Sequence, residues 1–247
     1  MLMDPPDSSA AASALFQLAG LPILMAVAIV SGGMDSVTMA YALREQGYWL
    51  SMLSFNYGQR HKKELEYAKR IAYRLQASHQ VVNLAGLKKL LPGSALTDDQ
   101  VAVPDGHYAA ETMKATVVPN RNAIMLSIAY GHAVAIGAKI VAIGSHAGDH
   151  FIYPDCRPDF IAQLAFALKI GNEGFADRQL QILAPFERVD KAEIVRIGTR
   201  LGVPYEETWS CYKGEEFHCG TCGTCTERKE AFEKALVADP TMYEGYQ

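Results

Sequence analysis

Five consecutive apolar residues, Ala26 to Val30, run straight into Ser31-Gly32-Gly33-Met34-Asp35-Ser36, and Val37 to Leu43 then reads as a helix. The two glycines therefore sit in a strand-to-helix turn. Backbone N–H groups at a helix N-terminus are unpaired and share the positive end of the macrodipole. Glycine lets an anion approach them without a Cβ in the way, so the turn is a candidate phosphate site. Ser31 and Ser36 add hydroxyl groups at its two rims. The lysine of a Gly-x4-Gly-Lys-Ser/Thr loop is missing, so the γ-phosphate chemistry of that loop is not implied. Alone, these residues also fit a plain tight turn.

The same alternation recurs along the chain. Trp49 to Phe55 reads as a second strand ending at Asn56-Tyr57-Gly58-Gln59-Arg60-His61, and Lys62 to Gln76 carries Leu65, Ala68, Ile71, Ala72 and Leu75 at helical spacing. His79 to Leu84 makes a third strand. The long stretch from Ala85 to Val118, with Pro92, Gly93, Pro104 and Gly106, is expected to be a mobile cover over a site. Pro119-Asn120-Arg121-Asn122 opens an apolar helix to about Ile136, and Lys139 to Gly144 is a fourth strand that runs into the polar segment Ser145 to Arg157. A helix from Pro158 to about Ile170, a short fifth strand over Gln181 to Ala184, and a helix over Lys191 to Leu201 capped by Asp190 complete the pattern. It predicts an α/β fold, a doubly wound five-stranded parallel sheet with helices on both faces. Ligands of such sheets bind beyond the carboxyl ends of the strands. The polar clusters after Val30, Phe55 and Gly144 should converge there.

A net charge of −4 over 247 residues disfavours a nucleic-acid partner and favours small ligands. The run before the first strand is apolar and uncharged between Asp7 and Asp35. It lacks a basic flank, contains Gly20 and Pro22, and ends in the strand itself, so residues 1–22 read as an N-terminal extension, with no membrane partner implied. Residues 23–205 would form the α/β domain that carries the phosphate turn, and 206–247 a metal-binding segment packed on it. Cys211, Cys219, Cys222 and Cys225 give C-x7-C-x2-C-x2-C, with Gly220 and Gly223 inside the knuckles. Four soft thiolates at that spacing suit one closed, structural Zn2+. An iron–sulfur cluster takes the same ligands, and a Cys-x-x-Cys redox centre is the further alternative. Cys156 stands apart and reads as a packing residue; such cysteine usage fits a reducing cytoplasm.

Ser31 to Ser36 resembles the pyrophosphate-cleaving loop of the ATP pyrophosphatase group. With Asn56 to His61, Pro119 to Asn122, Tyr153-Pro154-Asp155-Cys156-Arg157, Asp190-Lys191-Ala192-Glu193-Ile194 and the four cysteines, the chain from about Met25 to its last helix resembles the 7-cyano-7-deazaguanine synthase (QueC) family. The resemblance implies an adenine nucleotide alpha hydrolase-like fold. It also implies a carbon–nitrogen ligase that adenylates 7-carboxy-7-deazaguanine with ATP and Mg2+, converts it with ammonia to an amide, and activates the amide oxygen to reach the nitrile. A homodimer is implied as well. Carried over by position, Val30, Ser31, Gly32, Gly33, Met34, Asp35, Ser36 and Val37 would hold the ATP phosphates, with Arg60 and Arg121. Asp35, Arg121 and Lys191 would be catalytic. Tyr57, Gln59, His146, Asp149, Tyr153, Asp155 and Arg157 would hold the deazapurine carboxylate, Tyr153 by stacking, Asp155 as acceptor for its amino edge and Arg157 by reading its carboxylate. His146, Asp149 and His150 lie in a stretch that departs from the family pattern, and both histidines fit plain loop residues. That departure leaves room for a paralogue that stops at the amide or joins another amine. A tRNA thiolase or lysidine-type ligase, and a non-catalytic zinc-binding interaction module, are the other readings.

Overall fold

In a computed structural model, which describes residues 24–60, 62–108 and 111–245, five parallel strands form one sheet in the order β3-β2-β1-β4-β5. The strands are β1 (Met25–Ile29), β2 (Trp49–Asn56), β3 (Ser78–Asn83), β4 (Ile140–Ala142) and β5 (Gln181–Leu183). Met25 pairs with Trp49 and Ala26 with Ile140, which puts β1 between β2 and β4. The chain winds outward through β2 and β3, then crosses back to β4 on the other side of β1. The switch point therefore falls between β1 and β4, as the alternation of elements required. β4 is shorter than its apolar run because only three residues pair on both sides, although Ile143 N–H still donates to the Leu183 carbonyl at 3.0 Å.

The period of two in β1 divides the core. Ala26, Ala28 and Val30 pack with helices α1 (Met34–Glu45), α2 (Lys63–Arg74), α5 (Lys191–Arg200) and α6 (Gly223–Ala235). Val27 and Ile29 face the opposite layer, built on α3 (Arg121–Ile136) and α4 (Pro158–Gly171). Two helix ends show their cause directly. Gly137 closes α3 in the left-handed conformation at φ 68°, and the Asp190 carboxylate accepts the Glu193 N–H at 2.8 Å to start α5. α6 is tied down by Arg228, whose side chain is fully buried and donates to Thr208 Oγ1, Ser210 Oγ and the Tyr205 carbonyl beside Asp239.

The segment from Ala85 to Val118, expected as a mobile cover, is over its described residues a strap with anchored stretches. Ser94, Ala95, Thr97, Met113 and Thr116 are buried, and Ala95 N–H donates to the Ala115 carbonyl at 2.7 Å. Asp105 bridges to Cys222, which ties the strap to the cysteine segment. Its buried small and hydroxylic residues are what anchor it, a feature that length and polarity do not announce. The expected extension over 1–22 lies outside the described residues. Among the described residues no helix is long and apolar enough to cross a membrane.

Gly32 fixes the turn twice over. Its φ is +95°, and a Cβ there would stand 2.2 Å from the Glu64 carbonyl of α2. Gly32→Ala is expected to lower the unfolding free energy by about 2 kcal/mol or more, from the left-handed strain plus the forced shift of α2. Denaturant unfolding measures it, and an unchanged midpoint would remove this packing argument.

Candidate active site

α1 starts at Met34 without a side-chain cap. Its first N–H groups therefore have no acceptor within the helix, and Met34, Asp35 and Ser36 line a cavity at the carboxyl ends of β1 and β4. The serines brace the turn from within. Ser31 Oγ accepts the Gly33 N–H and Ser36 Oγ the Ser31 N–H, both at 3.2 Å, while Ser36 Oγ donates to the Gly33 carbonyl at 3.0 Å. Gly144, at the end of β4, closes the other rim. A Cβ there would come within 2.9 Å of Ser36 Cα, so only glycine lets the chain after β4 lie this close to the first turn of α1.

A cation and three acids surround this anion site. Lys191 Nζ lies 3.2 Å from Asp35 Oδ2 and 2.5 Å from Glu227 Oε2. Burial opposes its charge, but the two carboxylates hold its pKa well above the usual lysine value. Asp149 lies close by, accepting from the Tyr108 hydroxyl at 3.0 Å. Burial would raise the Asp149 carboxyl, yet His146 and Lys191 keep it below the usual range. Asp35 Oδ1 and Ser145 Oγ are buried with no hydrogen-bond partner, both in residues of the cavity wall. Buried oxygens left that way fit a cation or phosphate ligand.

Much of the cavity wall is aromatic. The Arg121 guanidinium stands 5.7 Å from the Tyr57 ring and 5.5 Å from the Tyr153 ring, with Tyr212 and Trp209 completing the wall. Trp209 and Tyr212 belong to the cysteine segment, and Trp209 N–H donates to the Gly32 carbonyl at 2.9 Å. Glu64 lines the cavity too, its Oε1 accepting from Gln59 Nε2 at 3.0 Å.

The ligand sulfurs of Cys211, Cys219, Cys222 and Cys225 lie within 4.8 Å of one another, where they could hold a metal ion. The donor set fits one: the Cys222 and Thr221 N–H groups donate to Cys219 Sγ at 3.3 and 3.5 Å, as the x2 knuckles require around a thiolate. Cys156 is elsewhere, buried, and accepts from Asn122 Nδ2 at 3.1 Å. Burial pushes its thiol up, which suits packing and not a nucleophile.

Residues 25–236 match the family model described as queuosine biosynthesis protein QueC. The chain belongs to the QueC family. It is 56% identical to the 7-cyano-7-deazaguanine synthase of Rhizobium johnstonii, over 88% of this chain and 91% of that protein. It is 55% identical to the Brucella anthropi protein of the same name, over 87% and 92% respectively.

Placed against this QueC cavity, the sequence-derived residues divide. Val30, Ser31, Gly33, Met34, Asp35, Ser36, Tyr57, Arg121, Asp149, Tyr153 and Lys191 line it. Gly32 and Val37 stand behind the turn as backbone and core. Arg60 does not reach the cavity wall, because its guanidinium is taken up by the Val101 carbonyl at 2.9 Å and by Asp99. Asp155 is no free acceptor for a base either. Its two oxygens accept the Asn122 N–H and side-chain amide, capping α3, which has no side-chain cap of its own. Arg157 is exposed and donates to the His150 carbonyl, away from the wall. Gln59 braces Tyr57 and Glu64 from behind, and His146 caps the turn of Ala147–Phe151 through Nδ1. Sequence reasoning missed Glu64, Tyr108, Trp209, Ser210, Tyr212 and Glu227. Glu64 and Glu227 sit in charged helical stretches with no local sign that they turn inward, whereas Trp209 and Tyr212 flank Cys211 and were open to notice.

Burial pushes the Glu64 carboxyl from 4.5 up to about 7, against its hydrogen bond from Gln59 and the charge of Arg121. The folded chain keeps this proton through a range where the unfolded chain has lost it. The contribution of Glu64 to stability therefore falls as pH rises from about 4.5 to about 7 and levels off above. Glu64→Gln is expected to remove about 2 kcal/mol of that decline. Unfolding at about pH 5 and about pH 8 reads the difference; equal declines in both proteins would contradict it.

Proposed function

We propose that this chain makes 7-cyano-7-deazaguanine, the product for which its relatives are named, from 7-carboxy-7-deazaguanine, ammonia and ATP. The observation that supports the reading is a single cavity lined both by an anion-binding helix terminus with Lys191 and by an aromatic wall with Arg121. Two ligands, a nucleotide and a flat heterocycle, suit those two sets of groups.

A carboxylate is a poor electrophile because its oxygen is a poor leaving group. In the first step the substrate carboxylate oxygen attacks the α-phosphorus of ATP, the bond to the bridging oxygen breaks, and pyrophosphate leaves. The N–H groups of Met34, Asp35 and Ser36 and the Lys191 ammonium would stabilise the charge spread over the phosphate oxygens. Ammonia then attacks the acyl carbon, loses a proton and expels AMP, which gives the amide. The amide oxygen then attacks the α-phosphorus of a second ATP and a second pyrophosphate leaves; loss of the two remaining nitrogen protons and of AMP gives the nitrile. Both carboxyl oxygens thus depart on AMP. Magnesium, accompanying ATP, would supply further charge neutralisation, and Asp35 Oδ1 is the buried oxygen available to it. The aromatic wall, with Tyr57, Tyr153, Tyr212 and Trp209, would stack the deazapurine.

Zinc is the ion we assign to the four cysteines, as a structural ligand set without an open position. Reduced thiols in this number suit a cytoplasmic enzyme. The homodimer implied by the family likeness would have an apolar surface in Phe166 and Ile170, exposed one turn apart on α4.

With ATP, Mg2+, ammonium and 7-carboxy-7-deazaguanine, mass spectrometry is expected to show the nitrile, with AMP formed at each activation. The amide as sole product favours the paralogue reading, and the absence of substrate-dependent AMP ends the proposal. Metal analysis is expected to give about one zinc per chain; iron would overturn that assignment. Asp35→Ala is expected to abolish AMP formation with zinc content and melting temperature retained, and normal turnover would take Asp35 out of the mechanism.

A further inference from the structure

Lys191 is the first residue of α5, where the positive end of the helix dipole disfavours an ammonium. Its stem has four rotatable carbons, so its own helix neither holds nor aims it. Two carboxylates from other segments do. Asp35, from the phosphate turn, stands 3.2 Å away, and Glu227, from α6, stands 2.5 Å away.

The two acids are not equivalent. Asp35 lines the cavity, so it is exposed to any cation that arrives with a triphosphate, and its other oxygen is still unpartnered. Glu227 does not reach the cavity wall. Thr224, one turn earlier on α6, does, so Glu227 lies directly behind the ammonium it holds. Its other oxygen, Oε1, faces the buried His146, whose Nε2 stands 3.6 Å from it and 3.5 Å from Asp149 Oδ1 and hydrogen-bonds to neither. Gly148 leaves room for this contact, since a Cβ there would sit 3.3 Å from Glu227 Oε1 and 2.7 Å from the His146 ring. The neighbouring Arg228 already anchors α6 to the core through Tyr205, Thr208 and Ser210, so Glu227 is not needed to hold the helix in place.

We infer that Glu227 is the positioning residue for Lys191: it keeps the ammonium aimed at the phosphate site when Asp35 turns to the nucleotide and its cation. The inference rests on Lys191 acting in adenylation, as proposed above. It gives α6, the helix that begins inside the cysteine cluster, a part in the chemistry as well as in the fold. Glu227 touches no reacting atom and acts through Lys191 alone.

The test is substrate-dependent exchange of labelled pyrophosphate into ATP, with 7-carboxy-7-deazaguanine, by the wild-type, Glu227→Gln and Lys191→Met proteins. Glu227→Gln is expected to lower kcat about tenfold while KM for ATP moves less than about threefold, with zinc content and melting temperature at wild-type values. An unchanged kcat, a loss confined to KM, or a loss that appears only with lost zinc or a lowered melting temperature overturns the inference. Lys191→Met separates this from the underlying reading. If it exchanges at the wild-type rate, the lysine itself falls from the mechanism; if it is inactive while Glu227→Gln is unaffected, only the role of Glu227 falls.

Discussion

An α-helix that begins with its N–H groups unpaired, in a cavity instead of in solvent, is a standing demand for negative charge. In this protein α1 makes that demand, and most of the structure beyond the sheet can be understood as answering it. Gly32 bends under α2 so that the strand end can meet the helix, Gly144 yields space at the neighbouring strand end, and the Ser31–Ser36 pair holds the turn without taking the N–H groups of the helix. Lys191 supplies the fixed positive charge that a Gly-x4-Gly-Lys loop would carry within itself. Here it comes from a helix more than 150 residues later in the chain, and needs carboxylates from two other segments to stay in place.

The cysteine segment is consequently more than a clasp. A four-thiolate site usually stabilises a small unit that cannot bury enough apolar surface of its own. In this chain the same unit delivers Trp209, Ser210, Tyr212 and Thr224 to the cavity wall and Glu227 to the back of Lys191. The strap from residues 85 to 118 meets it through Asp105 and Cys222 and brings Tyr108 to the same wall. The cavity thus has the sheet as its floor, α3 on one side, and walls from two segments whose sequences look like loop.

The sheet was legible because its evidence is periodic and local: apolar runs of strand length, each followed by a helical pattern, leave few topologies once crossovers must be right-handed. The phosphate turn was legible for the same reason, and Lys191 through the Asp190 cap that fixes where α5 starts. What sequence reasoning lost depends on direction. Asp155 and Arg157 sit beside Cys156 and Tyr153, which do line the cavity, yet the short turn at Pro154–Cys156 sends their side chains to α3 and to the His150 carbonyl instead. Arg60 looks like a phosphate ligand in a polar loop, but a strap whose carbonyls needed donors claims it. Glu64 and Glu227 run the other way, since acidic residues on charged helices ordinarily face water and only the approach of a second segment turns these inward.

The central claim is that one cavity holds both substrates, phosphates on the α1 terminus and deazapurine against the aromatic wall. A crystal structure with a non-hydrolysable ATP analogue and 7-carboxy-7-deazaguanine tests it most directly. The account expects the α-phosphate within hydrogen-bond reach of Lys191 and the Met34–Ser36 N–H groups. The heterocycle should lie among Tyr57, Tyr153, Tyr212 and Trp209, its carboxylate oxygen about 3–3.5 Å from the α-phosphorus. A triphosphate bound away from the turn, or a deazapurine outside the aromatic wall, would contradict it.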